Sequence, residues 1–222
     1  MIRSRILVSV IVLAMLAGLG ATARAEIGTV RHVAVWAYGT PPQAARAGLY
    51  LADAVVADEA VETVDGGALH IRFLDDTELR LGSASRVVLD SFVYDPATSA
   101  GEFAIELGEG VFRILTGSLA KESFAISTPV AVIGVRGTDF DVAVASDGAT
   151  TVTVREGFVT ITPRDGQSAN VGPTQSVSVG VDGSVSQGAG SPSDPGLAAA
   201  GAGQGTSGRG GQDEREESAE ED

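Results

Sequence analysis

"TPVAVIGVRGTDF", Thr128–Phe140, strings apolar residues and glycines together, breaks at Arg136-Gly137-Thr138, and resumes at Phe140. Thr128-Pro129 predicts an extended, rigid entry, because proline fixes its own φ and keeps the preceding residue out of the helical region. Val130–Val135 then reads as a central strand buried on both faces. Gly134 and Gly137 allow a bulge or the close approach of another backbone. Arg136 offers five donors, and the expectation is a structural one: its guanidinium ties two loops together across the sheet edge through carbonyls or a carboxylate.

Working outward, alternation with period two dominates the chain. In Leu69–Phe73 one face carries Leu, Ile and Phe and the other His and Arg, and Thr77–Leu81 repeats the scheme after Asp75-Asp76, so the two read as a hairpin. The same pattern predicts strands at 86–90, 102–107, 111–115, 124–127, 139–144, 151–155, 158–162 and 176–181, and makes "TVRHVAV" an N-terminal strand candidate. Asp-Gly, Gly-Gly, Asp-Pro and Glu-Gly pairs punctuate them. Only Pro42–Ala57 has helix-compatible composition, and it reads as a loop or edge segment with one helical turn. The fold class expected is therefore all-β: a single domain of many short strands, built as a two-layer β-sandwich or as a short β-helix-like stack.

The ends differ from this middle. Arg3 and Arg5 precede the uncharged apolar stretch Ile6–Gly20, and Ala23-Arg24-Ala25 has the small-x-small form of a signal peptidase site, so residues 1–25 are expected to be a cleaved export signal. No later stretch is apolar enough to cross a bilayer as a helix, so no membrane insertion is expected after cleavage. Residues 26–188 form the β domain. Residues 189–222 are rich in glycine, contain almost no large apolar side chain and end in a run of Glu and Asp, a composition that predicts a disordered acidic tail. With no cysteine, neither a lipoprotein anchor nor a disulfide framework is available.

Charge and residue content narrow the chemistry. A net charge of −14, shared between domain and tail, opposes binding to nucleic acid, whose affinity comes from Lys and Arg displacing counterions. His32 and His70 are the only imidazoles, both read as surface residues, and no nucleophile elbow, zinc-protease helix or phosphate-binding glycine loop occurs. No cofactor is expected and catalysis is not. Calcium is the one metal with candidate ligands, at Asp75-Asp76 and Asp139-x-Asp141; neither matches a calcium-loop spacing, and Asp139 with Asp141 reads more simply as a solvated face opposite Phe140 and Val142.

Four segments, "LHIRFLDDTELRLGSASRVVLDSFVYDP", "GEGVFRILTG", "FAISTPVAVIGVRGTDFDV" and "TTVTVREGFVTI", in this order and spacing, resemble the FecR domain family of extracytoplasmic β-rich domains. The resemblance runs from about Glu26 to Val181. Its most specific residues are Thr128, Pro129, Gly134, Arg136, Gly137 and Thr138, with Gly157 in the later turn; Leu81–Ser85 resembles the element after the first hairpin. Asp76 departs from the family's glycine and puts a left-handed turn residue there in doubt. The best-known members receive a signal from an outer-membrane transporter and pass it through a membrane helix to a sigma factor regulator. This chain is expected to have the domain without that relay, as a periplasmic or secreted, non-catalytic module with a protein partner. The alternative is an envelope or surface component whose acidic tail binds cations.

Overall fold

The computed structural model describes residues 24–120, 123–164 and 166–190. Of the expected export signal, residues 1–25, and the expected acidic tail, residues 189–222, only 24, 25, 189 and 190 lie within the described residues, and Ala189 belongs to the last strand. Among the described residues sixteen strands form one hydrogen-bonded sheet: β1 Glu26–Ala34, β2 Ala37–Thr40, β3 Ala47–Gly48, β4 Ala54–Val56, β5 Glu59–Thr63, β6 Ala68–Phe73, β7 Glu78–Leu81, β8 Arg86–Asp95, β9 Ala100–Leu107, β10 Gly110–Leu115, β11 Phe124–Ser127, β12 Ala131–Val144, β13 Thr150–Pro163, β14 Ala169–Val171, β15 Gln175–Val179 and β16 Val185–Ala189. Pro42–Ala57 contains no helical turn. It supplies β3 and β4, because its alanines and valines pair at the sheet's two ends.

Strand order is β3-β2-β5-β8-β9-β11-β12-β10-β7-β6-β1-β4, with β13 along β12 and with β14, β15 and β16 beyond it. The expected separate strands 130–135 and 139–144 are one 14-residue strand, as are 151–155 and 158–162. On one edge β12 follows β13 for its whole length; on the other it pairs β11 through Val132–Gly134 and then β10 through Asp139–Val144. The sheet therefore divides at the middle of β12 into two wings. They fold face to face: Phe73 of β6 meets Phe103 of β9 edge-on at 4.9 Å and stacks on Phe92 of β8 at 5.7 Å, geometries that aromatic rings favour. Among the described residues every strand pair is antiparallel except β9 with β11, so the all-β domain is one curled sheet whose wings pack on each other, in place of the β-helix-like stack and of a sandwich of two separate sheets.

The fold turns on the Arg-Gly-Thr break. Gly137 has φ +63° and Gly157, opposite it, φ +81°, and register shifts in both strands there. Each strand gains one residue, so the buried set Ala131, Ile133, Val135 on β12 continues as Phe140, Val142, Val144 without any strand turning its apolar face to water. Val130–Val135 is accordingly not buried on both faces: Val132 and Arg136 are exposed. Thr128-Pro129 also departs from its expected role. Thr128 lies in the tight turn between β11 and β12, where its hydroxyl oxygen accepts from the Ala131 amide at 3.1 Å and its own amide donates to the Ala131 carbonyl at 2.9 Å. Asp76, where a left-handed residue was in doubt, adopts one with φ +69°, as aspartate tolerates in turns.

A Cβ on Gly157 would collide with the Gly137 carbonyl oxygen, whereas one on Gly134 would meet only the Thr160 carbonyl at 3.7 Å. Gly157→Ala is expected to cost about 2 kcal/mol or more, and Gly134→Ala to stay within about 0.5 kcal/mol of wild type, read as the shift in midpoint of a urea titration.

Candidate functional site

The double bulge decides which side chains stand outside. Along β12 they are Val132, Gly134 and Arg136, then Asp139, Asp141 and Ala143; along β13 they are Thr162, Thr160 and Phe158, then Arg155, Thr153 and Thr151. At the break Arg136 and Phe158 are cross-strand partners. With Thr160 and with Asn170 of β14 they line an open depression of about 670 Å³. Phe158 is 61% exposed, beside Gly172, whose missing side chain leaves room for the ring edge. Thr160 Oγ1 donates to Asn170 Oδ1 at 2.9 Å, which leaves the Asn170 amide nitrogen without a partner among the described residues.

The expected tie by Arg136 is not made. Arg136 is exposed and has no hydrogen bond or ion pair among the described residues. Thr138, two residues further and 2% exposed, does the tying instead: its amide donates to Thr116 Oγ1 at 2.8 Å, its carbonyl accepts from the Thr116 amide at 3.1 Å, and its hydroxyl donates to the Phe158 carbonyl at 3.1 Å. The bulge points the hydroxyl inward and the guanidinium outward. Gly137 and Gly157 form the bulge that turns Arg136 outward, and Gly134 precedes it on β12, whereas Thr128 and Pro129 lie apart, against Thr150 and Gly148. Phe158, Thr160 and Asn170 went unremarked in the sequence, although Phe158, directly after the glycine of the Glu-Gly turn, carried the signal of a phase change.

Arginine ties do exist next door. Arg113 of β10 makes a two-pronged ion pair with Asp139, at 2.9 and 2.7 Å, and Arg155 binds Asp141 at 3.0 Å. These aspartates are not a solvated face: Asp141 is 3% exposed, and burial raises its carboxyl above the usual range against the opposing pull of Arg155. Asp75 is buried with its carboxylate spent on the Thr77 amide and hydroxyl, at 3.0 and 2.6 Å. Among the described residues no three His, Asp or Glu side chains converge on a metal position.

In the same row across the sheet stand His32, His70, Arg80, Arg113 and Asp141, each the register partner of the next. His70 is half-buried with Nε2 3.3 Å from Glu78, without hydrogen-bond geometry. Burial lowers its pKa, Glu78 opposes this, and Arg80, His32 and Arg31 add to it. A second depression, of about 450 Å³, lies between Arg31, His32, Trp36, Tyr50 and Leu51.

Because His70 is held neutral in the folded chain below the usual histidine range, the unfolded chain takes up its proton first on acidification. Its contribution to stability is present above the ordinary value of about 6.5 and is lost as pH falls below it. Wild type is expected to lose stability relative to His70→Gln between pH 7.5 and 5.5, measured as the difference between their thermal midpoints; a constant difference refutes the coupling.

Two crystal structures of a candidate anti-sigma factor from Parabacteroides distasonis ATCC 8503, at 1.65 and 2.50 Å resolution, each superpose with a TM-score of 0.48 at 17% identity, covering 59% of this chain and 59% of that one. The comparison with curated proteins found no match. Residues 59–160, which run from β5 through the double bulge into β13, match the family model described as FecR protein. That match includes the Arg136-Gly137-Thr138 break and its partner Gly157.

Proposed function

We propose that the chain is an exported, non-catalytic binding module whose FecR domain receives a protein partner on the outer face of β12, β13 and β14. The observation that carries this reading is the pairing of an exposed aromatic ring, Phe158, with the guanidinium of Arg136, unpaired among the described residues, in one open depression. Arginine and aromatic side chains dominate the energetics of protein interfaces, the ring by area and the cation by directed hydrogen bonds. The cavity offers donors, in Arg136 and the Asn170 amide, and its neighbouring carboxylates Asp139 and Asp141 are already neutralised by arginines. A partner segment with carboxylates or free carbonyls is the complement of that face.

Export follows from the leader: two arginines, an uncharged apolar core and a small-residue cleavage site. The module then acts in the periplasm or outside the cell, in envelope signalling or assembly, and does so without a catalytic step. The FecR domain supports the signalling side of this reading.

The test is affinity capture from envelope and culture fractions with wild type, Arg136→Ala and Phe158→Ala, followed by mass spectrometry. One protein retained by wild type and lost from both variants, with thermal midpoints unchanged, is the expected result. Equal retention by all three removes the face from the mechanism, and no specific retention by wild type removes the binding module.

A further inference from the structure

We propose that the acidic end of this chain, residues 213–222, docks on the outer face of β12, β13 and β14 beside Arg136, so that an external partner reaches the face by displacing it. The inference rests on the binding reading above and supplies its regulation. The place where the described chain ends is the first argument. The Gly190 amide donates to the Thr174 carbonyl at 2.9 Å, and a Cβ on Gly190 would lie 2.6 Å from Thr153 Cγ2. Thr153 is an outward residue of β13, five residues from Phe158 on the other side of the bulge. The last described residue therefore sits beside β13, the strand that carries Phe158.

Length allows the return. Twenty-three positions separate Gly190 from Asp213, a reach of at most about 76 Å. Tethering by a linker of that size holds the segment at an effective concentration on the order of millimolar, so weak contacts suffice.

Charge selects the place. Residues 213–222 hold seven acids and one arginine. Arg46, Arg72, Arg80, Arg86, Arg113 and Arg155 are each engaged by an acid of the domain. Among the described residues Arg24, Arg31, Arg136 and Arg164 have no ion pair. Two of these four, Arg136 and Arg164, flank the depression, with Phe158, Thr160 and Thr162 between them and the Asn170 amide, unpartnered among the described residues, alongside. Arg31 lies on β1, with β12, β10, β7 and β6 between it and β13. A domain with a surplus of acids repels the tail over most of its surface and accepts it here.

The chain has no cysteine, so Ser218→Cys carries a single nitroxide label, and paramagnetic broadening of amide signals in the full exported chain reports where the tail sits. Broadening is expected at Arg136, Phe158, Thr160 and Asn170 and to be absent from β2 and β3. It is expected to be relieved by 0.3 M salt and by Arg136→Gln with Arg164→Gln. Uniform broadening over the surface, or broadening that ignores both arginine changes, overturns the docking. The measurement needs no partner, so its failure leaves the capture experiment to decide the binding reading alone. Neutralising residues 213, 214, 216, 217, 220, 221 and 222 to Asn and Gln is expected to raise partner retention severalfold; unchanged retention overturns the regulatory role.

Discussion

Two glycines set against each other hold this architecture together. β12 and β13 are too long to belong to one flat layer, and the chain needs them to serve both wings while keeping one face dry. A one-residue slip in a strand exchanges its buried and solvent faces. Gly137 and Gly157 take left-handed conformations at the same level, each strand gains a residue, and the inner set passes unbroken from Val135 to Phe140 and from Val159 to Val154. The close approach of the Gly157 α-carbon to the Gly137 carbonyl explains why a larger side chain has no place there.

Everything on the outer face inherits its position from that arrangement. Thr138 is turned in, where it bonds Thr116 and the Phe158 carbonyl and so pins β10's end, β12 and β13 together. Arg136 is turned out beside Phe158. Below them Asp139 and Asp141 face Arg113 and Arg155, in a region buried enough to raise Asp141 and to depress His70 further along the row. Half-buried ion pairs of this kind add little net stability, since desolvation offsets much of their attraction, but loss of one partner leaves a costly lone charge. They fix the register of five neighbouring strands more than they strengthen the fold.

Much of the fold was legible. Alternation located most of the strands from β6 to β15 within a few residues, because each has one wet and one dry face, and Asp-Gly and Glu-Gly pairs located the turns. The short edge strands β3, β4, β14 and β16 were not, since strands of two to five residues at a sheet's margin have too few buried positions to leave a period. Arg136 was expected to make a tie, as an arginine in an apolar run suggests, and nothing local says that Thr138 takes the tie while Arg136 has no partner among the described residues. Phe158 was hidden for the opposite reason, as a ring in an apolar segment reads as core.

Composition and pattern alone determined that the chain is a β protein, acidic, without cysteine, with glycine at the break in its central run and an acidic end beyond it. These are properties of residues and of their nearest neighbours, and local sterics and solvation are enough to dictate them. Tertiary structure decided which wing each strand joins, that two predicted strands fuse into one on each side of the bulge, and that Arg136, Phe158 and Asn170 meet. Those outcomes depend on register between segments far apart in the chain, and alternation specifies which face of a strand is buried without specifying its partner.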